Sequence, residues 1–223
     1  SNITNYAKNI QAGISYFTPP GETSPIPFDN IVTTLVTNMN NMFAEAQTFN
    51  MHIGSWDLSN VNSTVQMFYA AFAFNQPIGS WNVSNVTNMS GMFVAAYSFN
   101  QNISSWNVGN VTNMQGMFYD TSSFNQNIGN WNVSNVTNAT DLLFGVQLST
   151  ANYDSLLTGW LTISPNETPL KPNIGFSGGN SKYCNGATAR ANIISAYGWI
   201  ITDGGLDCSG LGSNSISLVS GSG

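Results

Sequence analysis

The sequence predicts an α/β solenoid of about four to five 25-residue coils, each with one short parallel strand and one short helix, capped at both ends. Three observations support this. Phe49, Phe74, Phe99 and Phe124 recur every 25 residues, and Trp56, Trp81, Trp106 and Trp131 follow at the same period. The series Val36, Val61, Val86, Val111, Val136 and the series Met42, Met67, Met92, Met117 keep that register. Within each repeat, an alternating stretch precedes a helically spaced one. Self-similarity at a fixed period marks an array in which each repeat packs on its neighbours.

Residues 1–30 form a non-repeating lead-in. Pro19, Pro20, Pro25 and Pro27 exclude regular helix over its second half. Ile3, Tyr6, Ile10, Ile14 and Phe17 fit a short amphipathic helix or an extended cap over the first hydrophobic edge. The repeat array spans 31–148. It opens on a half-repeat at Ile31 and decays in its last copy, where Met-x-x-Met-Phe becomes Ala139-Thr140-Asp141-Leu142-Leu143.

In the repeat from Phe74 to Ser98, Trp81 and Val83 flank a polar Asn82, as a half-buried strand does. Thr87 and Asn88 offer N-cap oxygens to Met89, Met92, Phe93 and Ala96, whose i, i+3, i+4, i+7 spacing predicts a short helix. Stacked coils put Trp, Phe, Met and Val into continuous core columns. The columns Asn75, Asn100, Asn125 and Asn85, Asn110, Asn135 become amide ladders between coils.

Residues 149–208 read as the closing cap. Tyr153, Leu156, Leu157 and Trp160 make a helical stripe, and Ile174-Gly175-Phe176 reads as a strand. Ala187 to Ala196 reads as a helix turning Ile193, Ile194 and Tyr197 inward, before a strand at Trp199–Thr202. Residues 209–223 form a Ser/Gly-rich tail in which Ile216, Leu218 and Val219 could add a strand to an exposed edge.

Composition narrows function. Hydrophobic residues make up 42%, enough for a core, but charged residues only 6% against roughly 25% in ordinary globular proteins. No Lys or Arg stands between Lys8 and Lys171, which removes the cations that nucleic acids and anionic membrane surfaces require. No apolar run reaches the roughly 20 residues that span a bilayer, so membrane insertion is not expected. A first residue of Ser suggests a processed or excised chain. A surface of Asn, Ser, Thr, Gln and Gly suits a protein that meets sugars, other surfaces or copies of itself. Cys184 and Cys208 form an even pair near the C-terminus, most simply a disulfide closing a loop of about 25 residues and contributing roughly 3 kcal/mol. The alternative is two buried thiols.

The motif Phe-Asn-Gln-x-Ile-x-x-Trp-Asn-Val-x-Asn-Val-Thr-Asn-Met-x-x-Met-Phe stands at Phe74–Phe93 and Phe99–Phe118, and partly at Phe49–Phe68 and Phe124–Leu143. It resembles the bacterial surface-protein repeat of the BspA-like leucine-rich-repeat type, DUF285-like in its spacing. The segments Asn180–Cys184 and Tyr197–Gly205 resemble the closing cap of such proteins. The resemblance implies a leucine-rich-repeat-like fold, an extracellular or cell-surface location and adhesion. It supplies no catalytic residues.

Candidate sites are few. The single histidine, His52, stands where other repeats hold Pro77, Asn102 and Asn127, so it reads as an exposed corner. No Ser-His-Asp or Cys-His set assembles, zinc lacks ligands, and the acids are scattered, so no catalytic residue and no cofactor is expected. Asp203 and Asp207 on a Gly-rich turn are weak calcium candidates, and a tight turn explains the same residues. Triplets such as Asn85-Val86-Thr87 and Asn110-Val111-Thr112 match glycosylation acceptors but also follow from the ladders. The tryptophans read as core. Tyr69, Tyr97 and Tyr119, which vary between repeats, are the expected ligand contacts. Three functions fit: adhesion to a protein or glycan surface, a self-assembling filament or layer subunit, and a carbohydrate-binding module.

Overall fold

The structure, a computed structural model, describes residues 16–18, 21, 23–24, 26–162 and 169–209. Its organising feature is a run of parallel bridges linking Asn38, Ser63, Asn88, Asn113 and Asn138, each 25 residues from the next. From these bridges the backbone bonds forward at alternate residues. Met89 N donates to Asn113 O (2.9 Å), Gly91 N to Gln115 O, Phe93 N to Met117 O and Ala95 N to Tyr119 O (each 2.8 Å). The same four bonds recur from Thr64, Gln66, Phe68 and Ala70, and from Met114, Gly116, Phe118 and Asp120.

The amides between them close turns. Met92 N donates to Met89 O and Ala96 N to Phe93 O, while Gly91 and Ala95 hold φ of 63° and 55°. An i→i+3 bond with positive φ at the third residue is a type II turn. Each repeat therefore carries two consecutive type II turns where its spacing predicts a helix. Two four-residue turns bury Met89, Met92, Phe93 and Ala96 as a helix would, but they direct alternate amides to the next coil. The strand is displaced too. Trp81–Val83 makes no inter-coil backbone bond, and the parallel bridge lies instead at Asn88, the expected N-cap.

On the other side of the coil, side chains hold neighbouring repeats together. Asn75 Oδ1 accepts Asn100 N (3.0 Å), and Gln101 Nε2 donates to Asn75 O and Oδ1. Asn85, Asn110 and Asn135 each donate Nδ2 to the carbonyl of Ser59, Ser84 or Gly109 at 2.6–2.7 Å. Trp56, Trp81, Trp106 and Trp131 donate Nε1 to the carbonyls of Phe28, Ile53, Ile78 and Ile103 at 2.7–3.2 Å. The amide ladders exist, and each tryptophan is both core filler and tie to the preceding coil.

The core is a set of aromatic columns. Phe43, Phe68, Phe93 and Phe118 stack at 5.3–5.6 Å between ring centroids, beside Phe49, Phe74, Phe99 and Phe124 at 6.0–6.1 Å. Trp81, Trp106 and Trp131 stack at 6.4 Å.

The array begins earlier than Ile31. Phe28 occupies the position of Ile53 and accepts the Trp56 indole bond, while Asp29 O accepts Ser55 Oγ as Gly54 O accepts Ser80 Oγ. Just before it, β1 (Tyr16–Phe17) and β2 (Ile26–Pro27) pair antiparallel. Residues 1–15, with most of the expected N-terminal cap, lie outside the described residues, as do 210–223 with Ile216, Leu218 and Val219.

At the C-terminal end, α1 (Thr150–Leu161) continues the stack. Ser149 caps it through Asn152 N, Asn152 Nδ2 takes the place of a ladder glutamine on Asn125, and Trp160 Nε1 donates to Ile128 O. The parallel ladder continues from Ala139 to Phe176 in β3 (Gly175–Ser177) and on to β4 (Ile200–Thr202). Between them α2 (Ala187–Tyr197) buries Ile193, but Ile194 is 37% exposed, contrary to its expected inward position.

Candidate binding groove

The type II turns give one face a distinctive relief. Their first φ-positive column runs Asn41, Gln66, Gly91, Gly116, Asp141, with φ between 53° and 63°. Where that column loses its side chains, a groove of about 500 Å³ opens across four repeats. Gln66 stands at one end and Asp141 at the other. Val65, Ser90 and Gln115 form one wall, Val94 and Tyr119 the other. Its backbone amides are already used: Gln66 N, Gly91 N and Gly116 N donate to the carbonyls of Ser90, Gln115 and Thr140. What the groove offers a ligand is therefore side-chain amide, hydroxyl, carboxylate and aromatic surface.

Of the three tyrosines expected to make contacts, Tyr119 lines this groove. It stacks on Phe144 at 4.7 Å, which covers one face of its ring. On its other side the same column holds Val94, which also lines the groove. Tyr69, at the next step of that column, is 36% exposed and outside the groove lining. Tyr97 is 45% exposed and stacks on Phe72 at 4.9 Å, in a different column.

The remaining candidates are committed elsewhere. His52 Nδ1 lies 2.6 Å from Asp29 Oδ2 on an exposed corner, and Ser55 Oγ donates to Asp29 O (2.7 Å). The serine bonds the aspartate rather than the imidazole, so the nucleophile-to-base hydrogen bond of a catalytic triad is not formed.

The Asp203 side chain, 2% exposed, does not stand open to a cation. It accepts Arg190 Nε (2.7 Å), the Tyr153 hydroxyl (2.9 Å) and Gly205 N (3.1 Å). Burial pushes the Tyr153 hydroxyl pKa up, with the Asp203 charge adding to it. For Arg190, burial works against the charge, and the Asp203 hydrogen bond and charge more than offset it, leaving its pKa raised. Asp207 is held well below the ordinary carboxylate range by the Ser209 hydroxyl and Lys182 Nζ (2.9 Å). Each carboxylate is thus paired with a cationic side chain, Asp203 with Arg190 and Asp207 with Lys182. Among the described residues no group of three or more His, Cys, Asp or Glu gathers to hold a metal.

Cys184 and Cys208 are disulfide-bonded, with Cα atoms 5.1 Å apart. The bridge closes a loop that Asp154 also anchors: its buried carboxylate accepts the amides of Cys184, Asn185 and Gly186 at 2.8–2.9 Å. The Asn-x-Thr triplets at Asn85, Asn110 and Asn135 commit their side-chain nitrogens, the atoms a glycan would use, to the ladder.

A family model described as "Mycoplasma protein of unknown function, DUF285" matches residues 37–160, more than half of the chain. The chain belongs to the DUF285 family. No curated protein and no solved structure matches it. The DUF285 match begins beside the first parallel bridge and ends at Trp160, the last tryptophan of the stack, so it covers the groove entirely. Sequence reasoning missed the groove itself. Its signal was the pair Gly91 and Gly116 in a column otherwise filled by Asn41, Gln66 and Asp141.

Proposed function

We propose that this DUF285 chain is an extracellular surface repeat protein that recognises another macromolecule without catalysis, and that its array is a solenoid of the BspA-like leucine-rich-repeat type. The observation that carries this reading is a division of labour around each coil. On the amide side, Asn, Gln and Trp side chains make the inter-coil bonds, and any change there unties a rung. On the turn side the backbone makes those bonds, which frees side chains to differ: Gln66, Gly91, Gly116, Asp141 and Tyr69, Val94, Tyr119, Phe144. A face whose side chains vary over an invariant backbone is suited to recognition.

The disulfide supports an oxidising, extracellular location. Among the described residues no helix is long and apolar enough to cross a membrane. The test is attachment of beads carrying the chain to cell surfaces and to immobilised extracellular protein and glycan, comparing wild type with Gly116→Asn, which fills the groove. Attachment lost in the variant supports the reading, and equal attachment overturns it. A second reading, a self-assembling subunit, draws on the end of the parallel ladder at β4, where Ile200 is 70% exposed. Light scattering over a concentration series tests that reading.

A further inference from the structure

We infer that the turn-face groove is a binding site for a neutral oligosaccharide laid along the stack. This rests on the recognition reading above and names its ligand class.

Charge narrows the ligand first. Between Lys8 and Lys171 the chain has no cation, so phosphate, sulfate and carboxylate ligands find no counter-charge in the groove. A neutral ligand leaves Asp141 as hydrogen-bond acceptor rather than as one half of an ion pair. An extended peptide is the natural rival, and its strand-addition mode needs unpaired backbone groups on the receiving face. Here the amides of Gln66, Gly91 and Gly116 are all spent between coils.

The remaining chemistry is that of a sugar site. Gln66 supplies an amide that both donates and accepts, Gln115 supplies an amide whose Oε1 also accepts Asn138 Nδ2 at 3.4 Å, Ser90 supplies a hydroxyl, and Asp141 supplies an acceptor. Sugar hydroxyls likewise donate and accept, and they match such a set without charge. The half-buried Tyr119 ring, held by its stack on Phe144, lines the groove and offers the apolar platform on which a pyranose C–H face packs. From Gln66 to Asp141 the groove crosses three inter-coil steps, about 15 Å at the ordinary spacing of parallel strands. That length takes a short oligosaccharide rather than a single ring.

The glycine at 116 provides a test that keeps the fold. A Cβ there meets only Tyr119 Cβ at 3.7 Å, an ordinary contact, and Asn41 already adopts the same positive φ in the same column. Gly116→Asn thus fills the groove with a residue that tolerates the left-handed region. Tyr119→Ala removes the platform, and Tyr97→Ala removes an exposed aromatic outside the groove.

Soluble neutral oligosaccharides of glucose, mannose, galactose, xylose and N-acetylglucosamine are screened by saturation-transfer NMR, and binders are titrated calorimetrically. Wild type and Tyr97→Ala are expected to bind at least one of them equally. Affinity should hold from about 0.05 to about 1 M salt, since no charge pair carries it. Tyr119→Ala is expected to lose about tenfold or more, and Gly116→Asn to lose binding with its urea midpoint retained. If no sugar binds wild type, or if binding ignores both groove variants, the inference fails. Sugar failure with Gly116→Asn-sensitive attachment to protein-coated beads overturns the glycan inference and leaves the recognition reading standing. Sugar binding without any bead attachment does the reverse.

Discussion

Asp203→Ala is the sharpest probe of the closing cap. The wild-type carboxylate is 2% exposed and holds Arg190 at 2.7 Å, the Tyr153 hydroxyl at 2.9 Å and Gly205 N at 3.1 Å. Removing it strands a fully buried tyrosine hydroxyl, which costs about 1 to 2 kcal/mol. It also leaves the guanidinium unpaired. Loss of one partner from a buried pair costs roughly 3 to 5 kcal/mol, but Arg190 keeps a fifth of its side chain in solvent and retains Ile201 O and the Tyr183 ring, so about 2 kcal/mol is expected here. The total is about 3 to 4 kcal/mol, a large share of the roughly 5 to 15 kcal/mol that holds a domain. Asp203→Asn keeps an acceptor for Tyr153 and should lose about half as much. Urea unfolding followed by tryptophan fluorescence measures both, with calcium and with EDTA. A midpoint shift worth less than about 1 kcal/mol for the alanine variant would refute the buried-pair account. So would a wild-type midpoint that rises with calcium, because a ligand bound only by the folded state stabilises it by mass action.

Trp106→Phe should cost about 2 to 3 kcal/mol in the same assay: it empties part of a stacked column and removes the indole bond to Ile78 O, which keeps only the Trp81 amide. A loss below about 1 kcal/mol would mean that the indole rung does not tie the coils. Acid should weaken the fold through Asp207, whose pKa is lowered in the folded state. Its contribution is present above the unfolded carboxylate value and is lost as pH falls through the folded one. Asp207→Asn is therefore expected to reduce the slope of unfolding midpoint against pH below about pH 4, and an unchanged slope would show that the pair with Lys182 is inert.

The core was legible because burial repeats with the chain. Every Phe and Trp column sits at a fixed 25-residue step, and a side chain that must meet its own copy cannot drift from that step. The first cap helix was legible from its stripe, since Tyr153, Leu156, Leu157 and Trp160 are all buried in α1, whereas the stripe of α2 buries Ile193 but not Ile194. Backbone conformation was not legible to the same degree. Met89, Met92, Phe93 and Ala96 satisfy a helix and a pair of type II turns equally, since both return a side chain to the core after three or four residues. The distinguishing residues were Gly91 and Gly116 at the φ-positive third position. Gln66 in another copy, and Ala95 and Asp120 in the second turns of these same copies, occupy such positions, and these side chains carry no such mark. They are held there by the inter-coil bonds, an energy that one repeat read alone does not contain. Phe28 was missed for a related reason: Pro27 and Asp29 hide it from the motif, and the Trp56 indole and the Ser55 hydroxyl on Asp29 O show which position it fills.

The two faces of the coil therefore predict two kinds of variant. A change on the amide side removes a bond that no backbone group replaces, so Asn100 or Trp106 variants should lose stability whatever the ligand. A change on the turn side leaves the inter-coil backbone bonds intact, because a side chain at 116 or 119 takes no part in them. Variants there should keep the unfolding midpoint and change recognition. Tyr119 is the informative case, since its ring rests on Phe144 and its truncation also gives up some packing. That loss is about 1 kcal/mol of stability for one aromatic pair, which the unfolding midpoint reads separately from the tenfold change in affinity. Gly116→Asn deletes no contact and meets only Tyr119 Cβ at an ordinary 3.7 Å, so with its unfolding midpoint measured beside its affinity, any binding it abolishes at an unchanged midpoint was binding in the groove.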